Sequence, residues 1–398
     1  MKTPFASLSL LLLFIANFNI LNAKTLDETA WQILKESPQF KSENYSLESM
    51  ISTLKTESNL PDPELSGEYL VMPQDVDNRW TAQVEWGVEW PGVYGARSKE
   101  AKTKMTSAEK QLMTQRADRL AEIKDLLLDY IQCRQKLALL EELNNNNDTI
   151  YRLAEQAAKG GEMTVLDLNK VKLEYANIRG AKAALLDEEA SVVANLSQIY
   201  GTNCEAVLQE LTPEFPPVLL PSEEEIMKIK EVAPSVQLAY SEAETARRAQ
   251  KVSKMEALPS LTVGYKHQFE DGMHFNGAVL GISIPMFSSR GKQKAAKAEI
   301  LDAEFRAEVA GMEIEAEAVQ NWKRLRLLNE QIQEIAPLVE NADYNAALLK
   351  AYRGGVLTLI EYISDRNYFT NAAVELVSLR LAAAKAQAQL QKYLIDIE

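Results

Sequence analysis

Few residues in this chain are equipped for chemistry. Its 398 residues hold two histidines, His267 and His274, and two cysteines, Cys133 and Cys204. Both histidines fall in or beside segments that alternate as strands, and no nucleophile and base stand at a matching spacing, so covalent catalysis has no evident seat. Two lone thiols and two imidazoles make a weak metal set, and no cofactor is expected. If a helical hairpin turns near Gly161, Cys133 lies about 42 Å up one arm and Cys204 about 65 Å up the other, so the two should not meet. What remains is a set of carboxylates beside paired glycines. Asp167 follows Gly160, Gly161 and Thr164, while Glu361 and Asp365 follow Gly354, Gly355 and Thr358. Glycine pairs permit a tight reversal between antiparallel helices. Acids in the first turn of the returning helix can complement its dipole or simply face water.

Those glycine pairs belong to a duplication. Gly160-Gly161 with Thr164 and Asp167 return as Gly354-Gly355 with Thr358 and Glu361, and Trp86, Gly87, Val88, Trp90 and Pro91 return as Leu280, Gly281, Ile282, Ile284 and Pro285. Both matches sit 194 positions apart, so each half reads as one complete unit of hairpin strands followed by long helices. The expected divisions are a signal peptide at 1–23, a first repeat at 24–200, a linker at 201–222 with its proline-rich part from Thr212 to Pro221, and a second repeat at 223–398.

The strands are read from period two. From residue 79 to 91 the even positions are Trp80, Ala82, Val84, Trp86, Val88 and Trp90, whereas the odd ones are polar or glycine up to Glu89. Residues 63–72 alternate too, with Tyr69 on one face, as do 259–269, with Tyr265, and 274–286. A sheet packed on a soluble core explains the alternation equally well. It explains the tryptophans less well: Trp80 and Trp90 stand about 34 Å apart along a strand, which a tilt of about 40° projects to about 26 Å, close to the spacing of the two aromatic girdles of a membrane barrel. Trp80, Trp86, Trp90, Tyr69 and Tyr265 are therefore the candidate lipid-facing residues.

Helical periods follow each hairpin, over 97–158 and 165–200, then 290–352 and 359–397. Leu120, Ile123, Leu127, Tyr130 and Leu137 in one, and Phe369, Ala372, Leu376, Leu379, Ala383, Ala386, Leu390 and Tyr393 in another, are coiled-coil seams. Their alanines let helices approach closely. Asn144 to Asn147, and the counterpart that begins beside Pro337, predict an interruption or bend in each long helix.

Lys2, the apolar run from Leu8 to Ile15 and the small-residue site ending at Ala23 read as an export signal. No cysteine lies beside Ala23 to accept a lipid. The net charge of −14 argues against nucleic acid as a partner. No other run has the length of a spanning helix, so a membrane crossing would have to use strands. Four strands cannot close a barrel, and an open sheet edge in lipid leaves unpaired backbone groups at several kcal/mol each. Copies of the chain must then share one barrel, an argument that by itself does not choose three over two or four.

The duplicated plan, the strand ends at Gly87 to Pro91 and Gly281 to Pro285, and the segments 159–168 and 353–362 make the whole mature chain similar to the TolC-type outer membrane efflux protein family. The resemblance implies a mainly α fold with a membrane β part: a duplicated β-hairpin plus coiled-coil helical hairpin, assembled as a homotrimer whose 12-stranded outer-membrane barrel stands on a periplasmic α-helical tunnel. It implies no enzyme but the exit duct of a tripartite efflux pump, working with a periplasmic adaptor (membrane fusion) protein and an inner-membrane transporter in contact with outer membrane lipid. Family carboxylates near the helical tip form a cation-binding constriction. Glu361 matches such a position, whereas the next expected acid falls on Ser364 with Asp365 beside it; Asp167 is the third candidate. The turns with Gly160, Gly161, Thr164, Gly354, Gly355 and Thr358 are candidates for docking the adaptor. The cargo, whether small molecules, metal ions or, as in type I secretion, protein, stays open. So does a different class, a soluble periplasmic coiled-coil scaffold.

Overall fold

The structure, a computed structural model, describes residues 24–73, 78–161, 163–287, 290–340 and 344–394, with backbone alone at 142–149 and 345. The expected export signal and most of the turn after the first strand lie outside the described residues. The elements in order are α1 (Leu26–Glu36), α2 (Pro38–Thr56), β1 (Glu64–Leu70), β2 (Arg79–Val88), α3 (Pro91–Lys159), α4 (Val165–Tyr200), α5 (Glu205–Gln209), α6 (Glu223–Val232), α7 (Pro234–Met255), β3 (Ser260–Glu270), β4 (Met273–Ser283), α8 (Lys292–Glu340), α9 (Tyr344–Arg353) and α10 (Leu359–Gln391).

The duplication reaches further than the sequence reading took it. A helix pair precedes each hairpin, α1–α2 before β1 and α6–α7 before β3. A faint trace was present, shifted from the 194-position offset: Lys35-Glu36 and Pro38 return as Lys230-Glu231 and Pro234, 195 and 196 positions on, and each proline opens its helix, where its missing N–H costs nothing.

By contact the chain divides into two units, and α3 and α8 each contribute to both. In the unit built from 24–42, 116–229 and 316–394, α1 begins at a complete capping box, Thr25 with Glu28. Its apolar face, Ala30, Ile33 and Leu34, is fully buried against Leu120, Ile123 and Leu127 of α3 and Leu196 of α4. Lys124 of α3 is buried with them and reaches Asp27 at 2.6 Å. Of the seam alanines of α10, Ala383 and Ala386 are buried and Ala372 half-buried, and Ala384 and Ala388 beside them are buried too. Cys133 and Cys204 are free and buried, and burial pushes the Cys133 thiol up to about 11.

Segment 201–222 is not a free linker. Cys204, Val207, Leu208 and Leu211 are part of this same core, Lys24 pairs with Leu211, and Gln387 binds the proline-rich stretch through Leu219 N–H at 2.7 Å and Pro217 C=O at 3.2 Å. The prolines begin only at Pro213, so the residues before them are free to form a short amphipathic turn. The expected break at Asn144 to Asn147 is also absent: the backbone of α3 runs through it without interruption, and a propensity cost of about half a kcal/mol per asparagine is too small to end a helix by itself. In the second half α8 accommodates Pro337 without interruption, and the residues just beyond it, 341–343, lie outside the described residues.

The other unit, 43–115 with 230–315, holds the sheet and the helix segments beside it. Arg97 of α3 ties Glu89, just past β2, to Glu256, at the end of α7, the latter at 2.7 Å. Ser107 shares hydrogen bonds with Ser241 and Thr245 of α7 at 2.8 and 3.2 Å.

Candidate functional site

Two places gather the residues the sequence singled out: the sheet and the helical reversals. The sheet is four-stranded in the order β1-β2-β3-β4, antiparallel throughout. Its central ladder joins the two halves of the chain, from Trp80 opposite Phe269 to Val88 opposite Leu261. This register puts Leu65, Tyr69, Trp80, Val84, Trp86, Val263, Tyr265 and Leu280 on one face, and Glu64, Gln83, Glu85, Lys266 and Gln268 on the other. The apolar face is bare in the single chain: Leu280 is 80% exposed, Tyr69 62% and Tyr265 53%. An apolar surface of this extent marks an interface. β1 and β4 each have only one paired side within the sheet.

Five aromatics were expected to face lipid, and each has a defined place in or beside the sheet. Tyr69, Trp80 and Phe269 stand in one row across the strands, ending at His274, with Trp80 and Phe269 stacked at 6.4 Å. Tyr265 sits near the middle of β3. Trp90 lies beyond the strand, which stops at Val88; Pro91 then opens α3, and Val93 N–H donates to the Trp90 carbonyl at 2.8 Å. The aromatic span within β2 is thus Trp80 to Trp86, about 20 Å, with Trp86 Nε1 donating to Pro61 O at 2.8 Å.

The helical reversals are copies in geometry. Gly161 and Gly355 take left-handed φ values of 78° and 72°. The N–H groups of Met163 and Leu357 return to the carbonyls of Ala157 and Ala351 at 3.2 and 3.4 Å, closing both helix ends in the same way. Thr164 and Thr358 then cap the next helices. The carboxylates differ. Glu361 reaches back to the Thr358 N–H at 2.8 Å and completes a capping box; Asp167, one methylene shorter, meets the Thr164 hydroxyl at 2.8 Å and Lys170 at 3.1 Å. The Thr358 backbone N–H and hydroxyl hold Glu361 below the usual carboxylate range, and the Thr164 hydroxyl followed by Lys170 does the same for Asp167. Asp365 is exposed one turn further on.

A pKa depressed by folding contributes stability above the unfolded value, about 4, and that contribution is lost as pH falls through the folded value. Acidification from pH 6 to 3 is therefore expected to loosen both reversals, seen as faster amide exchange at Gly160-Gly161 and Gly354-Gly355. Thr358→Ala should loosen the second reversal already at pH 7, by about 0.5–2 kcal/mol. Exchange that ignores both changes would separate these caps from tip stability.

Sequence reasoning passed over Arg366. It lies on the buried stripe of α10 with Tyr362 and Ile363, only 3% exposed, and burial draws its guanidinium down against the pull of Tyr362 and Glu174. It lines a cavity with Ile150, Tyr151, Val171, Glu174, Tyr175 and Ile363, beside the cluster in which Ile150, Ala154 and Val171 of the first half meet Leu359, Tyr362 and Ile363 of the second. The available signal was an arginine three residues before Phe369, in step with an otherwise apolar seam.

No helix among the described residues is long and apolar enough to cross a membrane. No protein-family model matches the sequence, and no curated protein matches it significantly. Solved structures do share its fold. A membrane protein from Pseudomonas aeruginosa is 15% identical with a TM-score of 0.78, over 93% of this chain and 90% of that one. The Campylobacter jejuni CmeC outer membrane channel is 13% identical with a TM-score of 0.71, over 92% and 85%. The open state of the Neisseria gonorrhoeae MtrE outer membrane channel is 13% identical with a TM-score of 0.67, over 93% and 88%. The chain has the TolC-type fold, mainly helical with a small sheet.

Proposed function

We propose that this chain is the outer-membrane exit duct of a tripartite efflux system, passing small molecules or metal ions from an inner-membrane transporter and a periplasmic adaptor to the outside. The observation that carries the reading is the open, one-sided sheet. Its apolar face needs a cover and its two edges need partners. A bilayer supplies the first, and identical strands from neighbouring copies supply the second, because lipid does not tolerate open edges. Three copies would contribute twelve strands, with the polar face of Gln83, Glu85 and Lys266 lining the lumen. The likeness to outer membrane channels supports the same reading.

In this reading Asp167, Glu361 and Asp365 form the constriction of the periplasmic helices. The turns at Gly160, Gly161 and Thr164, and at Gly354, Gly355 and Thr358, receive the adaptor. The capping bonds of Glu361 leave its charge in place, so it can both start a helix and attract cations. Trp80, Tyr69 and Phe269 would form one aromatic girdle, with Trp86 and Trp90 toward the other interface and Tyr265 facing lipid between them.

Planar-bilayer recording from the detergent-purified chain tests this. Discrete cation-preferring pores are expected, with Glu361→Ala/Asp365→Ala raising the resting conductance and weakening cation block. A chain that stays monomeric and soluble without detergent would overturn the duct; pores indifferent to the double substitution would remove only the constriction.

A further inference from the structure

The two histidines, read from the sequence as a poor metal set, are brought together by the β3–β4 hairpin on the apolar face of the sheet. His267 stands opposite Asn276 and His274 opposite Phe269, a diagonal pair across adjacent strands. Their rings are 5.3 Å apart at an interplanar angle of 26°, and His274 Nδ1 lies 3.3 Å from His267 Nε2. Two imidazole nitrogens bound to one tetrahedral ion at about 2.0–2.1 Å stand about 3.3 Å from each other. The spacing is that of a chelate.

The surroundings prepare one ring for this. His267 Nδ1 is 2.7 Å from Asn276 Oδ1, which accepts only, so Nδ1 carries the hydrogen and Nε2 presents its lone pair. The Tyr265 hydroxyl donates to the same amide oxygen at 2.6 Å and fixes it. A hydrogen-bonded partner on the far ring nitrogen is the support that metal-binding histidines use. Trp80 packs on His267 at 5.1 Å and Phe269 on His274 at 5.0 Å, restricting both rings. No group of three or more His, Cys, Asp and Glu side chains gathers for a metal among the described residues, so water fills the remaining positions.

We propose that His267 and His274 bind one divalent transition-metal ion, Cu²⁺ or Zn²⁺, as a two-histidine chelate that clips β3 to β4 beside the Asp271-Gly272 turn. Without metal, the His274 Nδ1 hydrogen bridges to His267 Nε2. On binding, that hydrogen passes through solvent to His274 Nε2, both rings stay neutral, and a small rotation about each Cβ–Cγ bond turns the two lone pairs onto the ion. Cu²⁺ should bind more tightly than Zn²⁺. The site rests on the sheet alone and does not require the duct reading.

The test is Cu²⁺ titration of the full chain, purified in detergent without an added histidine tag and followed by electron paramagnetic resonance. One ion per chain with coupling to two imidazole nitrogens is expected. His267→Gln or His274→Gln should abolish that signal, Asn276→Leu should weaken binding about 10–100-fold, and Asn276→Asp should retain it. Should a histidine variant fail to assemble, Tyr265→Phe reads the same network and should weaken binding while leaving the sheet intact. A wild-type spectrum without two-nitrogen coupling, or the same spectrum in the His267→Gln/His274→Gln chain, would overturn the site whether or not the protein conducts.

Discussion

Val84→Arg is expected to keep the protein out of the outer membrane, whereas Gln83→Arg, one residue earlier, should leave insertion intact. Val84 occupies the middle of β2 on the apolar face, between Leu65 of β1 and Tyr265 of β3, and is 44% exposed. Gln83 lies between Ser66 and Lys266 on the polar face. An arginine on the lipid side near the bilayer midplane costs about 2–4 kcal/mol in each chain, and an assembly suffers it once per copy. The same side chain in an aqueous lumen costs little and alters ion passage instead. Membrane fractionation and the yield of detergent-resistant oligomer measure the contrast. If Val84→Arg inserts as well as Gln83→Arg, the apolar face is not turned to lipid; in a soluble scaffold neither change would alter fractionation.

Gly264→Val should be comparably severe for a different reason. A Cβ at position 264 would stand 2.5 Å from the Val84 carbonyl oxygen and 3.0 Å from Glu85 Cγ, closer than nonbonded atoms allow. The carbonyl belongs to backbone and cannot rotate away. The strands must part where Glu85 faces Gly264, in the ladder that joins the two halves of the chain. Each backbone pair lost inside a membrane costs several kcal/mol. Gly67→Ala and Gly87→Ala are the controls, because a Cβ there finds its nearest neighbours at 3.7 and 3.9 Å, ordinary contact. Detergent-resistant oligomer should vanish for Gly264→Val and persist for both controls. Equal yields for the three would show that β2 and β3 do not form this tight pair in the assembled protein.

Much of this architecture could be read from residue order because each signal was local. Alternation fixed the faces of β2 and β3, paired glycines marked the reversals, and the seam of α10 was legible from Phe369 to Leu390. What escaped depended on partners distant in sequence. The packing of Cys204, Val207 and Leu208 onto α1 and α3 turns an apparent linker into core, and no local pattern announces that. The end of β2 at Val88 was misjudged because Trp90 keeps step with the strand while Pro91 behind it starts a helix. The capping roles of Asp167 and Glu361 were present as Thr-x-x-Asp and Thr-x-x-Glu, a spacing whose function depends on where the helix begins. The meeting of His267 with His274 needed the hairpin register: they stand seven positions apart in sequence, yet a two-residue turn makes them neighbours.

The ladder from Trp80 to Val88 against Phe269 to Leu261 also bears on the protein's ancestry. A founding gene that encoded one repeat would have left β2 and β3 equivalents to find each other between separate molecules. In the single chain the two repeats make that pairing within one molecule. Expressed from separate genes, the halves should recover the fold only by co-assembling, each leaving a naked strand until the other arrives.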